Sequence, residues 1–336
     1  MRMQRLTVFL VAVFFCGAVL AASPATVHFL TREEARVALT EGPERDFYAR
    51  MQLVEMRART GLALQDMSLD AARDQVAATF GAAAQDFTAE EKAALQDATD
   101  HLQPVLEIQA PLYARTPWSF IKVTPNVEGG MPHTRGDSIV LSDPVLASIV
   151  RARAGGPFEK PSPLWALLIH EQTHVIQRRH PALFAPLYTS VLGFQQVNLP
   201  SPPQWISEAS ITDPDAPVRE WAFSLGNKAT RHWRLPVVFV DHGDHPNMPG
   251  DFRVVAVRIE PHGKSWNYAD LTAPADTPTL DSLSAFVERF PVRDELFHPN
   301  EITADLLSSL LIGAPLPVPD SIVWSGTRTW ARDALR

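Results

Sequence analysis

The sequence contains almost no cysteine: Cys16 is the only one in 336 residues. It lies in an apolar run at positions 6–20, which follows Arg2 and Arg5 and precedes small residues, the order typical of a secretory signal peptide. We expect residues 1–21 to be removed, and the mature chain then has no thiol. This excludes disulfides, a cysteine nucleophile and cysteine-ligated zinc. Histidines and carboxylates would have to bind any metal ion.

Basic charge is also in deficit. The formal net charge is −8, and acidic and basic residues are interspersed without a polybasic block, so we expect no nucleic-acid partner. The apolar run is short for a membrane span; an uncleaved anchor is the alternative to cleavage. We therefore predict a secreted or periplasmic protein without stable membrane insertion after signal cleavage. No pattern indicates an oligomeric state.

The remaining length can bury a large core, and its patterns divide it in two. Residues 22–110 are predicted to be a helical N-terminal region, with helix caps at Thr31, Ser68 and Thr88. The last of these helices is expected to run toward Pro104. Residues 111–336 are predicted to form a second region, in which strands and helices are mixed.

The hydrophobic periodicity changes in this second region. Strands are predicted at 118–123, 137–142, 237–240 and 252–259, and helices at 163–180, 182–194 and 300–312. The glycine-rich segment 129–136 is expected to be a turn-rich connection, and a loop containing Arg151 and Arg153 should lead to helix 163–180. The sequence thus predicts an α+β protein, mainly helical.

The helix at 163–180 carries an HExxH motif, formed by His170, Glu171 and His174. Ser162 can cap this helix, Pro163 suits its first turn and Pro181 would stop it. Residues four apart lie one turn from each other on the same side of a helix, so both imidazoles can face one metal ion. Glu171 lies beside them, where it can take a proton from a metal-bound water. The alternative is a partly exposed helix with its polar residues turned outward.

A catalytic zinc ion needs a third protein ligand, and two glutamates compete for this role. Glu208 lies in a Trp-x-x-Glu sequence, but Pro214 and Pro217 follow closely and disfavour a long helix there. Glu301 and Asp305 are four residues apart, so both carboxylates face one way from an otherwise apolar helix. The alternative explanation is that Glu301, in the first turn, interacts favourably with the helix dipole and that Asp305 faces solvent.

Residues 163–180 and 299–306 together resemble gluzincin metallopeptidases. The Trp-x-x-Glu at Glu208 resembles the third-ligand motif of the aminopeptidase-type gluzincins, whereas Asn-Glu-x-x-x-Asp at 300–305 resembles that of the thermolysin-like gluzincins. The second resemblance implies that Glu301 binds zinc and that Asp305 accepts a hydrogen bond from a ligand histidine. It also implies a zincin-like fold with a small β-sheet over the HExxH helix.

These features predict an exported zinc metallopeptidase acting on a peptide or protein. Zinc held by His170, His174 and Glu301 would activate a water molecule, with Glu171 as the general base. Residues 139–141 are the candidate sheet edge for an extended substrate, although a plain hairpin fits as well. Candidate donors to the oxyanion are the histidines and the tyrosine between the two ligand segments: His232, His242, His245, His262 and Tyr268.

Two other functions fit the sequence. One is a non-catalytic exported binding or scaffold protein with structural zinc or none. The other is a zinc hydrolase of non-peptide amides or cell-wall bonds. The Asp-His-Gly-Asp-His segment at 241–245 could also suggest a second metal, but a loop between strands commonly carries these residues for its turn geometry.

Overall fold

The structure is a computed structural model and describes residues 26–155, 163–217, 219–226, 231–274, 277–290, 297–314 and 321–336. The expected signal peptide and the expected cap Ser162 lie outside these ranges. Of the described residues, 52% are helical and 20% are in strands. The predicted α+β class, with helix predominating, is therefore confirmed.

Five helices of the described residues lie in the N-terminal region: α1 Arg32–Thr40, α2 Glu44–Arg50, α3 Leu53–Thr60, α4 Leu69–Ala83 and α5 Ala89–Gln109. Helix α6 Pro111–Arg115 follows directly after this region. The side chains of Thr31 and Thr88 complete capping boxes at α1 and α5, and Ser68 caps α4, as predicted. Helix α5 runs toward Pro104 as expected and continues through it to Gln109.

The first sheet contains β1 Val27–Phe29, β2 Ala84–Gln85, β3 Trp118–Val123, β4 His133–Arg135 and β5 Ser138–Ser142. Its strand order is β1-β3-β5-β4, and β2 pairs with β3. The N-terminal region is thus not purely helical, since β1 and β2 come from it. Both strands are too short to show an alternating pattern.

The candidate edge at 139–141 was wrong. These residues lie in β5, which pairs in parallel with β3 on one side and antiparallel with β4 on the other. A hairpin of β3 and β5 is excluded for the same reason. The edge strand is β4, a three-residue strand inside the segment predicted to be a connection.

The HExxH motif lies in α8 Pro163–Arg179. In sequence, α7 Asp143–Ala154 precedes this helix and α9 Pro181–Pro186 follows it. The expected loop with Arg151 and Arg153 is part of α7. The expected helix at 182–194 is α9 followed by a π-helical turn, Leu187–Leu192, which ends at Gly193 with a left-handed φ of 78°.

A second sheet and four helices complete the part of the chain that the structure describes. The sheet has the order β11-β10-β9-β8-β6, with β7 on β9. Its strands are β6 Phe194–Gln196, β7 Ser210–Ile211, β8 Trp221–Leu225, β9 His232–Val240, β10 Phe252–His262 and β11 Ser265–Tyr268. The short helix α10 Gln204–Ser207 lies between β6 and β7 in sequence. The predicted strands 237–240 and 252–259 lie within β9 and β10. The last helices are α11 Ser284–Arg289, α12 Pro299–Ile312 and α13 Ile322–Ala334.

The largest hydrophobic cluster places α8 against α12. Leu168, Ile169 and Ile176 of α8 and Ile302 and Leu307 of α12 are fully buried in it. Side chains of α5 belong to the same cluster, so the packing crosses residue 110. None of the helices that the structure describes is long and apolar enough to cross a membrane.

Candidate metal centre

Helix α8 holds the two motif histidines side by side. Their ring centroids are 4.8 Å apart. The helix is fixed by its other polar residues: the Gln172 side chain donates to the carbonyl oxygens of Thr116 and Pro117 at 3.2 Å, and Thr173 Oγ1 lies 2.7 Å from the Tyr113 hydroxyl. Because these polar groups find partners on neighbouring elements, the apolar helix can be buried without turning its imidazoles away from each other.

Helix α12 brings Glu301 to the two imidazoles. Glu301 Oε2 lies 3.2 Å from His170 Nε2 and 3.4 Å from His174 Nε2. The nearest potential ligand atoms of the three residues all lie within 4.8 Å of one another. A tetrahedral zinc ion with bonds of about 2.0–2.1 Å separates its ligand atoms by roughly 3.4 Å. The observed separations from the carboxylate therefore match the spacing that zinc requires.

The hydrogen bonds of the two Nδ1 atoms determine the tautomer of each histidine. His170 Nδ1 lies 3.1 Å from Asp305 Oδ1, the contact expected for Asp305. His174 Nδ1 lies 2.8 Å from Gln177 Oε1, while the Gln177 amide donates to the Asn300 carbonyl oxygen at 3.0 Å. Both Nδ1 atoms face acceptors and so carry the proton in the neutral rings. Both Nε2 atoms then present lone pairs toward Glu301, the tautomer that a metal ligand needs.

The polar atoms at this point fit a bound cation. Within the described residues, His174 Nε2, Glu301 Oε1 and Glu171 Oε2 are buried without a hydrogen-bond partner. Such atoms are costly unless something binds them. The residues therefore fit a zinc ion by spacing, by tautomer and by the chemistry of two nitrogen donors and one oxygen donor.

Charges within the centre perturb each other strongly. Burial works to lower the pKa of His174, but the carboxylates of Glu301 and Asp215 outweigh it and raise that pKa to about 9. Burial works to raise the pKa of Glu301, yet the two imidazoles hold it well below its usual value. For Glu171, burial and then the charge of Asp215 raise the pKa. A buried carboxyl with a raised pKa is typical of a group that exchanges protons.

The other third-ligand candidate is elsewhere. Glu208 is exposed just after α10, where its carboxylate accepts a hydrogen bond from the Gln204 side chain at 2.6 Å. Among the described residues, His170, His174 and Glu301 are the only group whose atoms could share a metal ion. Residues 241–245 do not form such a group, and His242 lies 3.3 Å from Asp251.

A cavity of about 1010 Å³ opens beside the centre. His170, Glu171, Glu301 and Asp305 are among the polar residues that line it. Its lining also includes the apolar side chains of Val254, Leu280, Phe286, Phe290 and Phe297. The cavity thus combines the candidate ligands with a surface suited to apolar side chains.

The predicted oxyanion donors do not line this cavity. His232, His242, His245 and His262 are exposed, and Tyr268 is buried in a separate cluster of the second sheet. These residues were chosen because they lie between the ligand segments in sequence, and that segment folds mainly into the second sheet. His133 of β4, which precedes the motif, lines the cavity instead.

The segment Thr212–Asp215 was missed by the sequence analysis, although it joins the edge strand to both helices of the centre. Asp215 Oδ1 accepts from the Thr134 backbone amide at 2.9 Å, and the Asn300 side chain donates to the Asp215 carbonyl oxygen at 2.9 Å. The Arg178 guanidinium donates to the Thr134 carbonyl oxygen at 3.2 Å and also to that of Pro214. No motif marks such a segment, because its role depends on contacts distant in sequence.

A buried ion cluster contributes Arg59 and Glu128 to the lining of the cavity. Arg59 Nη1 lies 2.5 Å from one Glu128 oxygen and Arg135 Nη2 lies 2.6 Å from the other. Glu55 accepts from Arg59 at 2.8 Å and from the Thr212 hydroxyl at 2.6 Å. Burial works to raise the pKa of Glu128, but the two arginines hold it below its usual value. The cluster thereby fixes the position of Thr212–Asp215 relative to α3 and β4.

Comparison with known proteins gives no relative. No protein-family model matches the chain, and no curated protein or solved structure is significantly similar to it. The functional argument therefore depends on the geometry of the centre itself.

Proposed function

We propose that this protein is a zinc-dependent metallopeptidase that hydrolyses peptide bonds. The observation that carries the proposal is the convergence of His170, His174 and Glu301, in which Glu301 Oε2 lies 3.2 and 3.4 Å from the two Nε2 atoms, close to the separation of ligand atoms around tetrahedral zinc. The residues that would hold the ion come from two helices that pack directly on each other. Asp305 and Gln177 would keep the two imidazoles in the tautomer that binds metal.

When bound, zinc supplies Lewis-acid chemistry, because it lowers the pKa of water and polarises a carbonyl group. Glu171 is the residue that moves the proton. Its side chain lines the cavity, its residue is only 4% exposed and Oε2 has no hydrogen-bond partner among the described residues. It takes a proton from the attacking water and returns it to the leaving amine.

The shape of the cavity favours a peptide. Its apolar lining residues can hold the side chains of a peptide, and its lining also includes the groups that would perform the reaction. A zincin-like arrangement is supported by the position of α8, which lies next to β4 and β5 with an antiparallel strand at the sheet edge. The predicted export to the periplasm or the medium remains part of this proposal.

Hydrolysis of a mixed peptide library by the zinc-loaded protein tests the proposal. Glu171→Gln should abolish cleavage while zinc remains bound, because the amide keeps the shape of the side chain but cannot accept the proton. Glu208→Gln, on an exposed side chain, is the matched control and should keep full activity. An inactive zinc-loaded wild type, or a Glu171→Gln variant as active as wild type, would refute the proposal. Cleavage of cell-wall muropeptides but not of the library would instead favour the cell-wall alternative.

A further inference from the structure

His133 is a buried histidine of the same cavity with no assigned role. It lies on β4, is only 2% exposed and lines the cavity together with His170 and Glu171. Its Nε2 atom is buried and has no hydrogen-bond partner among the described residues. A polar atom in this position costs free energy unless a ligand or water meets it.

The protonation of the ring follows from its other nitrogen. His133 Nδ1 lies 3.1 Å from the Met131 carbonyl oxygen, which can only accept. Burial lowers the pKa of His133, although Glu128 partly opposes it, and the ring is therefore neutral near pH 7. A neutral ring that donates from Nδ1 has a lone pair on Nε2. His133 consequently offers the cavity an acceptor and cannot stabilise an oxyanion.

The backbone of β4 leaves little else for a substrate to bind. An extended peptide usually joins a sheet edge by pairing with its outward amides and carbonyls. At Thr134 both of these groups are taken, the amide by Asp215 and the carbonyl oxygen by Arg178. Strand addition at this residue would require the Thr212–Asp215 segment to move. The His133 side chain is thus a group of the edge strand that lines the cavity and has a ring nitrogen without a hydrogen-bond partner among the described residues.

We propose that His133 is a substrate-binding residue whose Nε2 atom accepts a hydrogen bond from a main-chain amide of the bound peptide. The inference rests on the proposed peptidase function and adds one specific contact to it. A peptide carries an amide donor at each residue, and an apolar side chain of the same peptide can contact the apolar residues that line the cavity. The imidazole therefore offers the peptide one hydrogen bond in place of those that the occupied backbone groups of Thr134 cannot form.

Binding of a hydroxamate-capped apolar peptide to the zinc-loaded protein tests this contact by calorimetry. In a series of analogues, each amide in turn is replaced by an ester, which removes one N–H. Wild type should bind one analogue about tenfold more weakly than the parent, equivalent to about 1.4 kcal/mol. His133→Phe should bind the parent about tenfold more weakly and show no further loss with that analogue. His133→Gln, which keeps an acceptor near the position of Nε2, should recover much of the affinity.

The controls separate binding from folding and from the proposed function. His262→Phe changes an exposed histidine and should leave affinity unchanged. Zinc content and thermal unfolding of His133→Phe should stay close to wild type; if this variant unfolds, His133→Gln with the ester series decides. Equal binding of the parent by His133→Phe and wild type, or independent losses for variant and ester, would overturn the contact alone. If zinc-loaded wild type binds no hydroxamate, both this inference and the peptidase proposal are overturned.

Discussion

Replacing Gln177 by leucine should weaken zinc binding about 10- to 100-fold while the protein stays folded. Gln177 Oε1 is the acceptor for His174 Nδ1 at 2.8 Å, and the residue is only 4% exposed, so water does not readily take its place. Without this acceptor the imidazole proton can move to Nε2, which then has no lone pair for the metal. Part of the binding free energy of zinc would then be used to hold the ring in the tautomer that is protonated on Nδ1.

The expected loss is about 1.4–2.8 kcal/mol of zinc-binding free energy, which is the same 10- to 100-fold range. The variant also removes the donor to the Asn300 carbonyl oxygen, a 3.0 Å hydrogen bond. We therefore expect the free energy of unfolding of the zinc-free protein to fall by about 1–3 kcal/mol. Zinc affinity can be measured by competition with a chelating dye, and folding by far-ultraviolet circular dichroism and urea unfolding.

Gln75→Leu provides the matched control, because Gln75 is an exposed glutamine of α4. It should change zinc affinity by less than twofold. A Gln177→Leu protein that is folded and binds zinc within twofold of wild type would show that the Gln177 contact does not set the tautomer of His174. Of the two contacts that orient the imidazoles, only the one between Asp305 and His170 would then remain.

Three further outcomes follow from the same contacts. Glu301→Gln should lose most of its zinc while Glu208→Gln keeps it, as measured by metal analysis after dialysis; retained zinc in Glu301→Gln would assign the third ligand elsewhere. Glu128→Gln should lower the free energy of unfolding by about 3–5 kcal/mol in urea, because it leaves two arginines buried with less compensation; the exposed Glu288→Gln should change it by less than about 0.5 kcal/mol. The stabilisation from Glu128 should be present at neutral pH and be lost as the pH falls below about 4.5 and through the depressed pKa. The free energy of unfolding of wild type should therefore fall more between pH 5 and pH 3 than that of Glu128→Gln. Equal losses in the two proteins would contradict this pH dependence.

The sequence predicts the parts of this structure that depend on local signals. The caps at Thr31, Ser68 and Thr88 mark helix starts because a side-chain oxygen meets an amide only three residues away. The HExxH spacing places two imidazoles together because helix geometry is fixed. Glu301 could be chosen over Glu208 because its helix has an apolar face to pack on α8, whereas prolines soon follow Glu208.

The errors concern features that the local residue pattern does not show, most of them contacts between distant residues. Strand β4 has three residues, and only its pairing with β5 distinguishes it from a turn. Gln177 appears in sequence as an ordinary polar residue at the end of a helix, and its function depends on α12, more than 120 residues away. The oxyanion candidates were selected by sequence interval, but the intervening chain folds into a second sheet away from the cavity.

The covered edge at Thr134 has a consequence for the behaviour of the protein in concentrated solution. An open strand edge can pair with another molecule and seed aggregation. At β4, the carboxylate of Asp215 and the guanidinium of Arg178 occupy the outward amide and carbonyl of Thr134, and the strand is only three residues long. Intermolecular pairing there would have to displace two charged partners, so this side of the first sheet is protected from self-association.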